Sequence, residues 1–416
     1  MTVILLFIFF CTQVLYSEQD TFVIHSNAQS KPLQLFMGVA SNEQDLIQLS
    51  DLLRAHLEWS KQIAITRHTS CPRTQQDMST LFHDGYTLGL FLARDHDGYS
   101  CRLYDLTQGR MIMGKKYAIP GADSTVIARC IGHDLWRQMM GEASPFCSSL
   151  CYIKKTNDRV PRYELCIADY DGTSPKTLLY SSRIIVAPSW NNDTRNPAIF
   201  FSEFTPSNVR ILAIDMSQRV RTVFDFDGTI VGVSCDTVHE KNALYCRSGS
   251  IWHFTYDPDL KRSTHSLIIN ELGTCASPTL FSNGDIIFCS QGKIKYYMAD
   301  TRKVSLITDD GYCVAPTGHY GKKKIAYSRR IGAYMQLFVY DMASQLHKQI
   351  SFDKGDKTDA AWSPCGNYLV FVHSEGASSS IEVMHVATGS RSQVTDSHDY
   401  CSYPAWSPSA SLLFQN

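Results

Sequence analysis

Five aspartates and a histidine recur at one slot in this 416-residue chain, each closing a strand-like run ahead of a polar turn. They are Asp169 in ELCIADYDG, Asp215 in RILAIDMSQ, Asp257 in WHFTYDPD, Asp300 in KYYMADTRK, Asp341 in LFVYDMASQ and His385 in EVMHVATGS. A ring of aligned carboxylates could ligate a cation. A carboxylate just before a turn has a commoner task, accepting backbone N–H groups two residues on, and that role is expected here. His133 and Asp134 in GHDLW form a second polar pair. They sit on a predicted helix with no further pair to complete a metal site, so helix-surface and helix-end roles are expected.

Other chemistry finds no motif. No G-x-S-x-G elbow occurs; GVSCD, GYSCR and GASSS lack the second glycine. There is no HExxH, no C-x-x-C pair and no glycine-rich phosphate loop. A non-enzymatic protein without metal or cofactor is the expectation. The net charge of -1, with 44% hydrophobic and 19% charged residues, gives no general attraction to nucleic acid or to an anionic membrane. Fourteen cysteines suit an oxidising compartment. About half of them are expected to act as small buried hydrophobes.

The aligned slots step along the chain by 46, 42, 43, 41 and 44 residues, which is a repeat. Each unit carries a first strand with Trp or a substitute: Trp190, Ser234, Thr279, Gly318, Trp362, Trp406. A tight turn follows, then an apolar run such as YLVFV, then the strand ending in Asp, then a weaker strand such as KVSLIT. Four strands per unit is the content of a β-propeller blade. YLVFV is continuously apolar because stacked blades cover their middle strands on both sides. The first unit, SLCYIKK and ELCIADY, lacks its first strand, while the last, PAWSP, lacks its later ones. Joined, the two fragments complete a sixth blade and close the ring.

The remainder lies ahead of the repeat. Residues 1–17, MTVILLFIFFCTQVLYS, read as a signal peptide with an apolar stretch from Val3 to Cys11, although no Lys or Arg follows Met1. No later segment approaches ~18 apolar residues, so a soluble exported protein is expected. Residues 18–143 read as a small α/β domain with a mixed sheet and two helices. Its strands are DTFVIHS, LQLFMGV, YTLGLFLA, SCRLYDL and MIMGKKYAI. The first helix is capped by Ser41 or Asn42, with Leu46, Leu49, Leu53 and Leu57 on one face. The second turns Ile127, Ile131 and Leu135 inward. Residues 144–416 form the six-bladed, all-β propeller.

CRLYDLTQGRMIMGKKY resembles the RLYDVxxGKxLxGKxY hairpin of the TolB family, and the WSP-x-G-x-YLVF phrase and closing PAWSP are similar to that family's blades. The likeness extends over most of the chain beyond residue 17. Trp-Ser-Pro is lost from the second to fourth blades, and the cysteine load is high for the family. The resemblance implies a periplasmic adaptor, peripheral to membranes, of the Tol–Pal system. A TolA-like inner-membrane protein would bind the N-terminal segment, Glu18, Gln19, Asp20, Thr21, Phe22, Val23, Ile24, His25 and Ser26. A Pal-like lipoprotein would bind loops at one channel mouth: Thr229, Val231, Thr274, Cys275, Tyr312, Cys313, Thr358, Asp359, Tyr400 and Ser402. The alternative is a propeller that holds a glycan or peptidoglycan fragment in its channel.

Overall fold

A computed structural model describes residues 32–408, apart from 70, 73, 119–122, 157, 192–195, 227–229, 236–241, 258–261 and 271–273. The expected signal peptide, the DTFVIHS strand and the segment Glu18–Ser26 lie outside the described residues. The N-terminal part runs β1 (Leu33–Val39), α1 (Gln44–Trp59), β2 (Ile63–His68), α2 (Gln75–His83), β3 (Leu88–Asp95), β4 (Gly98–Asp105), β5 (Arg110–Tyr117) and α3 (Ser124–Met140). Its mixed sheet has the order β2-β1-β3-β4-β5, with β1 parallel to β2 and β3.

Leu46, Leu49, Leu53 and Leu57 are fully buried along α1, and Ile127, Ile131 and Leu135 are buried along α3. The cap of α1 differs from expectation. Glu43, not Ser41 or Asn42, is the N-cap, and its side chain makes no cap hydrogen bond. Two elements escaped the sequence pattern. IAITRH forms β2, a strand short and polar at its end, and α2 is a short helix held by a capping box between Thr74 and Asp77.

Six four-stranded sheets follow. Blade 1 spans Ile185–Trp190 to Val220–Phe226, and blade 2 spans Ile230–Cys235 to Arg262–Ile269. Blade 3 runs from Cys275–Leu280 to Lys303–Leu306, blade 4 from Cys313–His319 to Leu346–Gln349, and blade 5 from Asp356–Trp362 to Arg391–Gln393. The sixth blade is made of both ends of the propeller. Cys401–Trp406 pairs antiparallel with β6 (Ser149–Lys155), which continues to β7 (Tyr163–Asp169) and β8 (Lys176–Ser181). Ser149 N donates to Ser407 Oγ at 2.9 Å, and Ser407 N donates to Ser149 O at 2.8 Å.

The innermost strands all begin on one face of the ring, the front, and end on the other, the back. The N-terminal domain packs on the back of blades 5 and 6. His56 on α1 hydrogen-bonds Tyr170 Oη at 2.7 Å, and Trp59 meets the Tyr368 ring with centroids 5.4 Å apart. One apolar cluster runs through both parts, from Leu53 and Trp136 to Phe146, Tyr170, Tyr368 and Trp406.

The repeated acids divide their work. Asp341 accepts from the backbone of Ala343 and Ser344, both at 3.0 Å, as a turn carboxylate should. Asp215 accepts from the backbone and side chain of Arg219. Asp169 is diverted: it forms a bidentate, buried ion pair with Arg129 of α3. Asp171 takes over the turn N–H of Thr173. His133 and Asp134 are also structural. His133 bonds Ser144 Oγ, while Asp134 accepts from Tyr117 and Lys115 and ties α3 to β5.

Among the described side chains, twelve cysteines are free thiols, nine of them buried. Burial pushes Cys101, Cys147, Cys246 and Cys401 up to about 12, away from the reactive thiolate. Cys365, in the turn of the WSPCG phrase, bonds Ser363 at 3.2 Å and is likewise raised by burial. It packs against the inter-domain core.

Three outcomes follow from this architecture. Arg129→Ala strands the buried Asp169 carboxylate and should cost about 3–5 kcal/mol in urea denaturation; Arg129→Met with Asp169→Leu should recover most of it. Burial, the main cause, lowers His56 from 6.5 to about 4. The unfolded chain therefore takes up this proton first, and stability should fall as pH drops from 6.5 toward 4, by about 3 kcal/mol from this group. His56→Gln should remove that part of a measured pH profile. Melting temperature and mobility on a non-reducing gel should be unchanged by dithiothreitol, and a reductant-sensitive band would reveal a bridge.

Candidate functional site

The six innermost strands line a channel, and every one of them breaks register with its neighbour at the same level. The shifts fall between Phe200 and Ser202, Val231 and Val233, Ala276 and Thr279, Val314 and Thr317, Thr358 and Ala361, and Ser402 and Ala405. These are β-bulges. At five of them a non-glycine residue is left-handed: Ala187, Ser277, Ala315, Asp359 and Tyr403, with φ of 51°, 48°, 49°, 50° and 51°. Each such residue costs roughly 1–2 kcal/mol. Proline follows in four of the five: Pro188, Pro278, Pro316 and Pro404. An innermost strand has no partner on its channel side, so proline's missing N–H removes no ladder bond. The signal was present in the sequence as APSW, SPTL, APTG and YPAW, but it reads as a bulge only once the strand's free edge is known.

The bulges form the channel's waist, a space of about 200 Å³. Asp359 stands in it, its carboxyl raised by desolvation and its Oδ2 accepting from Thr358 Oγ1 at 3.3 Å. Behind the waist the back mouth widens to about 400 Å³. It is lined by the residues that sequence alignment placed in the Trp slot: Trp190, Ser234, Thr279, Gly318, Trp362 and Trp406. The tryptophans themselves are buried between blades, each 7% exposed. Trp190 Nε1 donates to Ala405 O of the neighbouring blade at 3.3 Å. Gly318 has a steric reason, since a Cβ there would come within 2.2 Å of Phe281.

The front mouth is where sequence reasoning placed partner contacts. Thr229 lies outside the described residues, and Val231 sits in the first strand of blade 2. Thr274 and Tyr312 are exposed just ahead of their strands. Cys275 and Cys313 open those strands but are 2% and 0% exposed, so their side chains face the blade interior rather than a partner. Thr358 and Asp359 lie within Asp356–Trp362 and not in a mouth loop, and Asp359 lines the waist. Tyr400 and Ser402 flank the start of the closing strand, both half-buried.

Residues the sequence did not single out join Tyr312 on the front of blade 4. Ile331 and Tyr334 cap its second hairpin, and Phe352 leads into blade 5; they are 40%, 38% and 48% exposed, beside Tyr312 at 52%. The Arg330 guanidinium lies 5.9 Å from the Tyr312 ring centroid. Exposed aromatics with arginine are the composition of a protein-binding surface. Among the described residues no cluster of His, Cys, Asp and Glu could hold a metal, and no helix is long and apolar enough to cross a membrane.

No family model matches the chain. It is 27% identical over 157 residues to the Tol-Pal system protein TolB of Nitrosococcus oceani, covering 37% of this chain and 36% of that one. It is 30% identical over 130 residues to the same-named protein of Thioalkalivibrio sulfidiphilus, covering 30% and 29% of the two chains. The alignments thus span about a third of the length of the curated relatives. The crystal structure of TolB from Acinetobacter baumannii superposes with a TM-score of 0.77 at 19% identity, over 91% of this chain and 97% of that one. The small α/β domain followed by six blades is shared with that structure, and in sequence and fold alike the chain is similar to the TolB proteins of the Tol-Pal system.

Proposed function

We propose that this chain is a non-enzymatic periplasmic adaptor of the Tol–Pal type. It links a TolA-like inner-membrane protein to a Pal-like, peptidoglycan-associated lipoprotein, supporting outer-membrane integrity and cell division. The observation that carries the reading is the front of blade 4, where Tyr312, Ile331, Tyr334 and Phe352 stand exposed on the face away from the N-terminal domain. Such a patch on a rigid scaffold supplies apolar anchors at little ordering cost. The TolA-like partner is assigned to Glu18–Ser26, whose β-prone Phe22-Val23-Ile24 run suits addition to a partner's sheet edge.

A second reading draws on the channel. Ser189, Ser234, Thr279 and Thr317 bring hydroxyls to the back mouth, chemistry that suits a glycan. Capture experiments separate the two. Tyr312→Ala with Tyr334→Ala should weaken binding of the co-purified Pal-like lipoprotein by about 2 kcal/mol, roughly thirtyfold, without changing the melting temperature. Deleting residues 18–26 should abolish capture of a TolA-like protein and spare the other partner. Unchanged affinity in the double variant, or retention of soluble glycans alone, would refute the adaptor.

A further inference from the structure

A cleft of about 680 Å³ opens where the N-terminal domain meets blades 4 and 5. That size falls in the range of small-molecule sites, which favour domain junctions. Its apolar surface comes from Met140, Val339, Ile350 and Val386. Its charges come from both sides: Glu142 lies on the N-terminal wall, and Lys324, Asp341 and Lys348 lie on blade 4.

These charges are incompletely matched. Lys324 stands opposite Asp341 in the strand register. Lys348 stands opposite Val339 and has no ion-pair partner among the described residues. The Glu142 carboxylate is 3.9 Å from His385 Nε2, beyond hydrogen-bond reach; the Trp136 indole N–H is its nearest donor, and the Lys322 charge acts on it from longer range. His385 is 5% exposed, accepts or donates at Nδ1 to Thr388 Oγ1 at 2.9 Å, and is kept neutral by burial, at about 4. It therefore supplies no counter-charge near neutral pH. Here the repeat's turn aspartate has given way to an imidazole, so blade 5 adds no further negative charge to the cleft at that slot.

A carboxylate and an ammonium thus line one partly desolvated space from two domains, together with apolar side chains. Partly burying such groups without an opposite charge beside them is costly, and a ligand carrying both opposite charges relieves both. We propose that this cleft binds a zwitterionic amino acid or short peptide with an apolar side chain. Its ammonium meets Glu142, its carboxylate meets Lys348, and its side chain lies on Val339 and Ile350. The assignment is independent of the adaptor reading, since it needs neither the front face nor a protein partner.

Calorimetric titration of the full chain with leucyl-leucine tests it, alongside the N-acetylated and C-amidated dipeptides. One saturable site is expected, with each capped form at least about tenfold weaker. Lys348→Glu should abolish the preference for a free carboxylate, and Glu142→Gln should abolish the preference for a free amine. Circular dichroism would confirm that both variants remain folded. No saturable binding, equal binding of the capped forms, or wild-type discrimination in both variants would overturn the proposal.

Discussion

The propeller depends on one pairing, the hydrogen-bonded seam between Cys401–Trp406 and β6. It joins positions 258 residues apart at Ser149 and Ser407. Loop-closure entropy grows only with the logarithm of length, so so long a closure costs little more than a short one. The return is large. Without the seam, two strand edges lie open to water or to other chains. With it, every middle strand is covered on both sides and the channel has a continuous wall.

The same seam builds the platform for the N-terminal domain. Tyr170 and Asp169, at the back of the closing blade, meet His56 and Arg129. Phe146, in the connection after α3, is fully buried among His56, Trp136 and Tyr170. A buried ion pair is weak evidence of net stability, because desolvation offsets much of its attraction. Its geometric demand is strict, however, and it fixes how α3 sits on the ring. The back face is thereby committed to the second domain beside the channel. The front face keeps its exposed aromatics, and the cleft at blades 4 and 5 is left where the docked domain ends.

Strain is distributed around the channel in the same regular manner. Five left-handed, non-glycine bulges at one level are held by the blades that flank them. Backbone conformations of this kind persist where the surrounding structure over-determines them, and they gather at functional places. The waist they form, with Asp359 inside it, separates the two mouths.

Much of this was legible in the chain. The spacing of Asp169, Asp215, Asp257, Asp300, Asp341 and His385 declared six blades, and the split first and last units declared how the ring closes. The leucines of α1 and the isoleucines of α3 declared their buried faces by period alone. Short elements were harder. IAITRH carries too few apolar residues to announce β2, and α2 is held by a local cap instead of a buried stripe. The candidate contact residues fared unevenly for a related reason: a residue ahead of a strand and the one that opens it differ in burial, so Tyr312 is exposed and its neighbour Cys313 is buried.

By itself, then, the sequence determined the repeat, the period of each element and the closing seam, because these rest on local patterning and on like segments pairing with like. Tertiary structure alone decided which turn aspartate became an ion pair, which face stayed open, and where unmatched charges came to share a cleft. Those outcomes depend on side chains distant in the chain meeting across a docked interface, as Arg129 and Asp169 do 40 residues apart and His56 and Tyr170 do 114 residues apart, and no local pattern encodes such a meeting.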